Sequence, residues 1–288
     1  MIDYEIIVDM VRQAGNMLRE EKLRYESPRI CDNSPVIDKD VALFFSETIQ
    51  KKFTGHHIIC EEDIGSHIGS SECAFIIDPN DGSIDYINGN KGYSISVALV
   101  ERKKFLFGCV YIPEIPDGFG LSGDVMLTWY KDRPSISLNG NEYTDNQSKY
   151  RNNILLVGSN ISETSLNENK VLFEDMHLIR CASIATRLSL VALGKAAATI
   201  TLYPLHIWDF AGGQCLLQSA SGDLYDEQCN PIRWDEFLFN SYITPKGYIG
   251  ALDRQTAQKI ANQFAPYCKA KHGRMLEITS RRADGSAG

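Results

Sequence analysis

The strongest constraint on the fold is an apolar run that stops on acid. Cys73-Ala74-Phe75-Ile76-Ile77 leads directly into Asp78-Pro79-Asn80-Asp81-Gly82-Ser83. A short apolar run bounded by turn formers reads as a buried strand. Two carboxylates three residues apart, just past a strand end, can converge on one point in a turn. Hard divalent cations prefer such oxygen ligands. Gly82 permits a tight backbone, and the amides of Gly82 and Ser83 can face an anion. The same residues also make a plain acidic turn, because Asp, Pro, Asn, Gly and Ser are all turn formers. On this segment alone both readings stand.

Two further acidic positions follow apolar patterns. The run from His57 ends at Glu61-Glu62-Asp63, and Trp208-Asp209 opens an apolar helix. Taken singly, the first is a solvated acidic loop and Asp209 is a helix N-cap.

The rest of the chain supplies helices and strands in mixed order. Ile2, Ile6, Met10, Ala14 and Met17 recur at helical spacing, with Val11 and Leu18 widening the stripe. A second helix follows Ser34-Pro35, with Val41, Phe44, Phe45 and Ile49 on one face and Asp38 or Asp40 as its cap. Tyr93 to Val100 alternates as a half-buried strand would, and Phe105 to Ile112 is its hairpin partner across Arg102-Lys103-Lys104. Asn139-Gly140 marks another tight turn. Further on, Ile154–Val157 and Ala197–Leu202 read as strands. Ser183–Leu193, Asp209–Ala220 and Asp253–Phe264 read as helices. The polar tail from 271 to 288 reads as frayed or disordered.

Composition excludes several classes. A chain of 288 residues with 43% hydrophobic and 23% charged residues is neither disordered nor membranous. No apolar run approaches the roughly 18 residues of a membrane span. A net charge of −8, with no basic run longer than three residues, argues against a nucleic-acid polymer as partner. No signal peptide is expected from the N-terminal residues, and the eight scattered cysteines form no C-x-x-C pair. Cys181 and Cys215 read as buried thiols, so a cytoplasmic setting is expected.

Together the acidic segments resemble the inositol monophosphatase superfamily, the lithium-sensitive, magnesium-dependent phosphatases. Asp78-Pro79-Asn80-Asp81-Gly82-Ser83 resembles its D-P-x-D-G-T/S signature, and Trp208-Asp209-Phe210-Ala211-Gly212-Gly213 its W-D-x-A-G/A-G signature. Glu61-Glu62 resembles the acidic pair after its early strand. Ser34-Pro35-Val36-Ile37-Asp38-Lys39-Asp40 resembles the segment ending in a catalytic-site Asp. Within that superfamily, Gly108-Cys109-Val110-Tyr111-Ile112-Pro113, Leu190–Ala196 and Leu202-Tyr203-Pro204 are similar to the bacterial 3′(2′),5′-bisphosphate nucleotidase branch.

The resemblance implies a layered α+β fold, an αβαβα sandwich. An N-terminal α+β domain over 1–150 would carry most metal ligands. A C-terminal α/β domain over 151–270 would supply Asp209 and substrate contacts. It implies two or three Mg²⁺ ions held by Glu61, Asp78, Asp81, Asp209 and the backbone carbonyl of Asn80. Ser83, with Asp40 behind it, and Glu61 would act on the attacking water. Gly82, Ser83, Arg187 and Asp209 would bind a small phosphate ester. A homodimer is implied in the same way. Two metal ions can activate water for an in-line displacement, so no Cys or His nucleophile is needed, and His56, His57 and His206 are structural or peripheral.

Arg187 is either a surface residue of its helix or a bidentate reader of a second phosphate, where the nucleotidases carry Lys. The departures are Ile37, Cys60, Asn80, Ile84, Asp85 and Leu202, which stand where the family has other residues. The expected activity is a phosphomonoesterase, with a 3′(2′),5′-bisphosphate nucleotide favoured as substrate. Inositol 1-phosphate or another sugar phosphate is the alternative, and a catalytically inactive regulatory relative is the reading from another class.

Overall fold

The computed structural model describes residues 2–25, 27–31, 34–62, 69, 72–144, 153–164, 166–167, 173–234, 242–244 and 247–263. The tail from 271 to 288 and Asp63 lie outside them. Helix α1 (Tyr4–Arg24) and helix α2 (Val36–Lys52) form the first layer. A small ribbon, β1 (Ile30–Cys31) with β2 (Ser34–Pro35), joins them. The buried side of α1 is Ile7, Val8, Met10, Val11, Ala14, Gly15 and Leu18, rotated slightly from the expected stripe, since Ile6 and Met17 are only half-buried. Pro35, not an aspartate, stands at the N-cap of α2, which leaves Asp38 in the first turn, where a carboxylate suits the helix dipole.

The second layer is a seven-stranded sheet in the order β3 (His57–Cys60), β4 (Cys73–Asp81), β5 (Ser94–Glu101), β6 (Lys104–Ile112), β7 (Val125–Tyr130), β8 (Ser137–Leu138), β9 (Asn141–Glu142). Strands β3 and β4 are parallel, and the remaining pairs are antiparallel. The hairpin turn at Arg102-Lys103 has positive φ at both residues (48° and 68°), as does Asn139-Gly140 (50° and 85°), the twist that suits two-residue hairpins. Strand β5 is buried on both faces, except at Glu101. The alternation in its sequence therefore does not mark a wet face: Ser94, Ser96 and Ala98 are small because a helix lies against them.

That helix belongs to the third layer. Helix α3 (Ser83–Ile87) closes the end of β4. Helices α4 (Ile184–Ala192) and α5 (Ile207–Ser219) lie between the two sheets, and their apolar residues join those of β4, β5, β6 and β7 in one core. Two glycines set the fit of α5. A Cβ on Gly212 would stand 2.6 Å from Ser96 Oγ and 3.0 Å from the Cys109 carbonyl. One on Gly213 would stand 2.8 Å from Leu188 Cβ. Helix α5 is thus pressed against the sheet on one side and α4 on the other.

The fourth layer is a five-stranded sheet in the order β11 (His177–Cys181), β10 (Ile154–Gly158), β12 (Ala198–Thr201), β14 (Tyr248–Ala251), β13 (Asp223–Tyr225). Helix α6 (254–263) packs on its outer face through Ala257, Ile260 and Ala261. The result is the expected layered αβαβα sandwich. Cys181 and Cys215 are buried thiols. Among the described residues no helix is long and apolar enough to cross a membrane.

Candidate active site

Strand β4 does not stop at Ile77 as expected. It runs on through Asp81, pairing Asp78 with Ser96 and Asp81 with Ser94, so Pro79 and Asn80 face Ile95 alone. Residues three apart on a regular strand point to opposite faces, and one extra residue restores the match. The bulge therefore turns Asp78 and Asp81 into one opening, which both line. Gly82 follows at φ 93°, with Ala182 and Ser183 packed against it, and α3 begins at Ser83. Only glycine meets both demands at low cost.

Each carboxylate is held by a different element. Asp78 Oδ1 accepts from the Asn80 amide at 2.9 Å. Asp81 Oδ2 accepts from Ser183 Oγ at 2.5 Å and from the Ala185 amide at 2.8 Å. Ser183 is itself the N-cap of α4, so Asp81 sits at the positive end of that helix. Glu61 stands one residue past β3, with its amide bonded to the Ile77 carbonyl. Asp209 lies in the first turn of α5, which starts at Ile207, two residues earlier than expected. Its Oδ2 accepts from the His206 amide at 2.9 Å, and the His206 ring stacks on Trp208.

The aspartate behind Ser83 is Asp38 and not Asp40. Ser83 Oγ lies 2.8 Å from Asp38 Oδ2 and 2.8 Å from the Asn80 carbonyl, and Asn80 Nδ2 donates to Asp38 Oδ1 at 2.8 Å. Asp40 points outward on α2, half exposed, and faces Arg29 at 3.6 Å. Residues two apart on a helix differ by about 200° around its axis, so only one of the pair can face inward. The inward member is Asp38, in the first turn, where the resemblance had pointed to Asp40.

Arg187 is sealed inside the protein, 1% exposed, which removes the surface reading. Its Nη1 donates to the Ile200 carbonyl at 3.0 Å and to Thr199 Oγ1 at 3.2 Å, and it lines the same cavity. That cavity, about 410 Å³, also takes in Asp85, Ser159 and Tyr203, none of which the motifs single out as site residues. His56 packs against Phe53 and Phe75, away from the cavity lining.

The carboxyls crowd one another. Burial raises Asp38 to about 7, against its bonds from Asn80 and Ser83. Glu61 keeps an exposed outer side, yet loss of water around its carboxyl, with the charges of Asp81 and Glu62, lifts it to about 7. Asp81 rises to about 6 by burial, restrained by Ser183, Ala185 and Arg187. Burial and then the neighbouring carboxylates drive Asp78 and Asp209 well upward. Among the described residues no three of His, Cys, Asp and Glu stand, as placed, where they could hold one metal ion together. The lining donors are oxygens, with no Cys or His, a set suited to a hard divalent cation and not to zinc.

A pH test follows. These groups bind protons more tightly folded than unfolded, so the stability they lend is complete below about pH 4. For Asp38, Glu61 and Asp81 it is lost as pH rises from there to about 6 to 7. For Asp38, shielded from water, the slope is about 1.4 kcal/mol per pH unit in that window. The metal-free protein is expected to melt lower at pH 8 than at pH 5.5, with Mg²⁺ restoring more at pH 8, because ligands must be ionised to bind it. Calorimetry in chelator and in Mg²⁺ checks this; a metal-free Tm that climbs with pH would sink it.

Comparison with known proteins adds a separate line. The sequence profile of the inositol monophosphatase family matches residues 4–267. Inositol monophosphatase 1 of Rattus norvegicus is 28% identical over 248 residues, covering 80% of this chain and 85% of the rat protein. Inositol-1-monophosphatase of Bacillus subtilis is 27% identical, covering 76% and 83%. The crystal structure of inositol monophosphatase II from Staphylococcus aureus superposes with a TM-score of 0.71 at 21% identity, covering 97% of this chain and 98% of that one.

Proposed function

The chain belongs to the inositol monophosphatase family, a family of phosphoric monoester hydrolases, and from that premise we propose that it hydrolyses a small phosphate monoester with Mg²⁺. One observation carries the reading: Glu61, Asp78, Asp81 and Asp209, drawn from three separate stretches of chain, line a single cavity. With the Asn80 carbonyl they would hold two or three Mg²⁺ ions. When bound, the ions offset the carboxylate charge, draw in the phosphate and acidify the attacking water.

The chain's own groups do the rest. The amides of Gly82 and Ser83, at the start of α3, would steady the phosphate. Ser83 Oγ, with its hydrogen directed to Asp38 or to the Asn80 carbonyl, keeps lone pairs for a water proton. Asp38, lifted to about 7, is matched to take up that proton near neutral pH. A regulatory relative without activity would have no need of this whole set.

Two substrate readings have support. Arg187 on the cavity wall favours a 3′(2′),5′-bisphosphate nucleotide. The names of the curated relatives favour inositol 1-phosphate. Because Arg187 also serves Thr199 and Ile200, its truncation would disturb the fold, and Arg187→Lys is the more informative change. Phosphate release is the test, run on 3′-phosphoadenosine 5′-phosphate, inositol 1-phosphate, fructose 1,6-bisphosphate and histidinol phosphate. Release is expected to require Mg²⁺ and to fall with lithium at limiting Mg²⁺. Undiminished turnover in excess chelator would overturn the proposal.

A further inference from the structure

The cavity continues past the proposed phosphate position to a wall that the reaction itself leaves unused. Asp85 lies on α3, two residues beyond Ser83, and is 7% exposed. It lines the same cavity as Asp78, Asp81 and Asp209. Its Oδ1 accepts from Asn90 Nδ2 at 3.0 Å, and its Oδ2 accepts from Ser159 Oγ at 2.5 Å. Ser159 follows β10, so the second bond reaches across to the other sheet. Each carboxylate oxygen can accept about two hydrogen bonds, and each here has accepted one.

Among the described residues no Lys or Arg forms an ion pair with Asp85. Lys91 is turned to Asp117 at 2.8 Å, and Arg180 to Glu163 at 2.6 Å. Arg187 hydrogen-bonds Thr199 and the Ile200 carbonyl, and its charge acts on Asp81 and Asp209. At the mouth, Ile84 and Tyr203 are 64% and 40% exposed, which places apolar faces beside the carboxylate. A carbon skeleton can rest on those faces. A second phosphate could not approach Asp85 without like-charge repulsion.

Resting on the phosphatase reading, we infer that Asp85 is a specificity-determining residue for the alcohol that leaves. It reads a hydrogen-bond donor there, a hydroxyl or an ammonium, and disfavours a second anion. Ser159 and Asn90 hold the carboxylate rigid, so little ordering cost falls on the substrate.

The test compares Asp85→Asn and Ser159→Ala with the natural protein, by kcat/KM, on four esters. Propyl phosphate has no donor, glycerol 2-phosphate offers hydroxyls, phosphoethanolamine offers an ammonium, and 3′-phosphoadenosine 5′-phosphate carries a second anion. Binding of the same esters is measured by calorimetry with Ca²⁺ in place of Mg²⁺. In Asp85→Asn the preference for a donor-bearing ester over propyl phosphate is expected to fall about tenfold to a hundredfold, the range of a charge-assisted hydrogen bond. The bisphosphate should gain relative to both donor-bearing esters. A larger fall for phosphoethanolamine assigns the ammonium, and a larger fall for glycerol 2-phosphate the hydroxyl. Ser159→Ala, which keeps the charge and loosens it, should weaken KM for the preferred ester more than kcat. Equal losses on all four esters, with a lowered Tm, would make Asp85 a structural staple and overturn the inference. If no ester is hydrolysed but calorimetry still shows an Asp85-dependent donor preference, the phosphatase reading falls and this one stands. No preference in either measurement overturns it.

Discussion

Asp81→Asn and Asp209→Asn are each expected to lower Mg²⁺-dependent phosphate release by more than about a hundredfold, the loss that even outer partners of metal ligands can produce. Both changes remove a charge and nearly keep the shape. In Asp81→Asn an amide oxygen in the place of Oδ2 still accepts from both Ser183 Oγ and the Ala185 amide. In Asp209→Asn the oxygen still serves the His206 amide. The fold should therefore persist, and the metal-free Tm should rise, because one of several mutually repelling carboxylates is gone. The Tm gained on adding Mg²⁺ should shrink in step with activity. A variant that keeps both its turnover and its Mg²⁺-induced shift would show that the residue is not a ligand.

Asp38→Asn is the second large effect, and Asp40→Asn is its control. A positioned general base contributes about 10²–10⁴-fold, so Asp38→Asn is expected to lose activity on that scale, mostly in kcat. The residual rate should also lose the inflection near pH 7 that Asp38 supplies. Among the described residues Asp40 shares only a long, exposed pair with Arg29, and such pairs are worth little. Asp40→Asn should stay within about twofold of the natural rate. If instead Asp40→Asn loses activity and Asp38→Asn does not, the proton path through Ser83 and Asp38 is wrong.

The sequence carried the layers well because they rest on local pattern. The stripe on α1, the acid-ended run of β4 and the hairpin at Arg102-Lys103 each show in a few consecutive residues. It carried the second sheet poorly. Strands β11, β13 and β14 went unread, and all three are only three to five residues long. Their pairing partners lie far away in the chain, so no short window holds the signal. The site was legible where motifs are contiguous, at 78–83 and 208–213. It was not legible where a rotation about a helix decides, as with Asp38 against Asp40. The bulge at Pro79-Asn80 lay equally hidden, since a turn and a bulged strand use the same residues. Asp85 was visible only as a departure from the family; its bond to Ser159 joins residues 74 apart.

The two glycines under α5 carry a lesson for anyone who wants to change what the protein accepts. With Gly212 against Ser96 and Gly213 against Leu188, the backbone that presents Asp209 has no slack on either side. Random substitution there would mostly yield unfolded clones, since neither neighbour is the loose end of a long side chain. The opposite rim has room: Ile84, Asn160 and Tyr203 face solvent and carry no packing of that kind. A library aimed at new substrates should leave 207–213 untouched and vary 84, 160 and 203, where diversity costs the scaffold least.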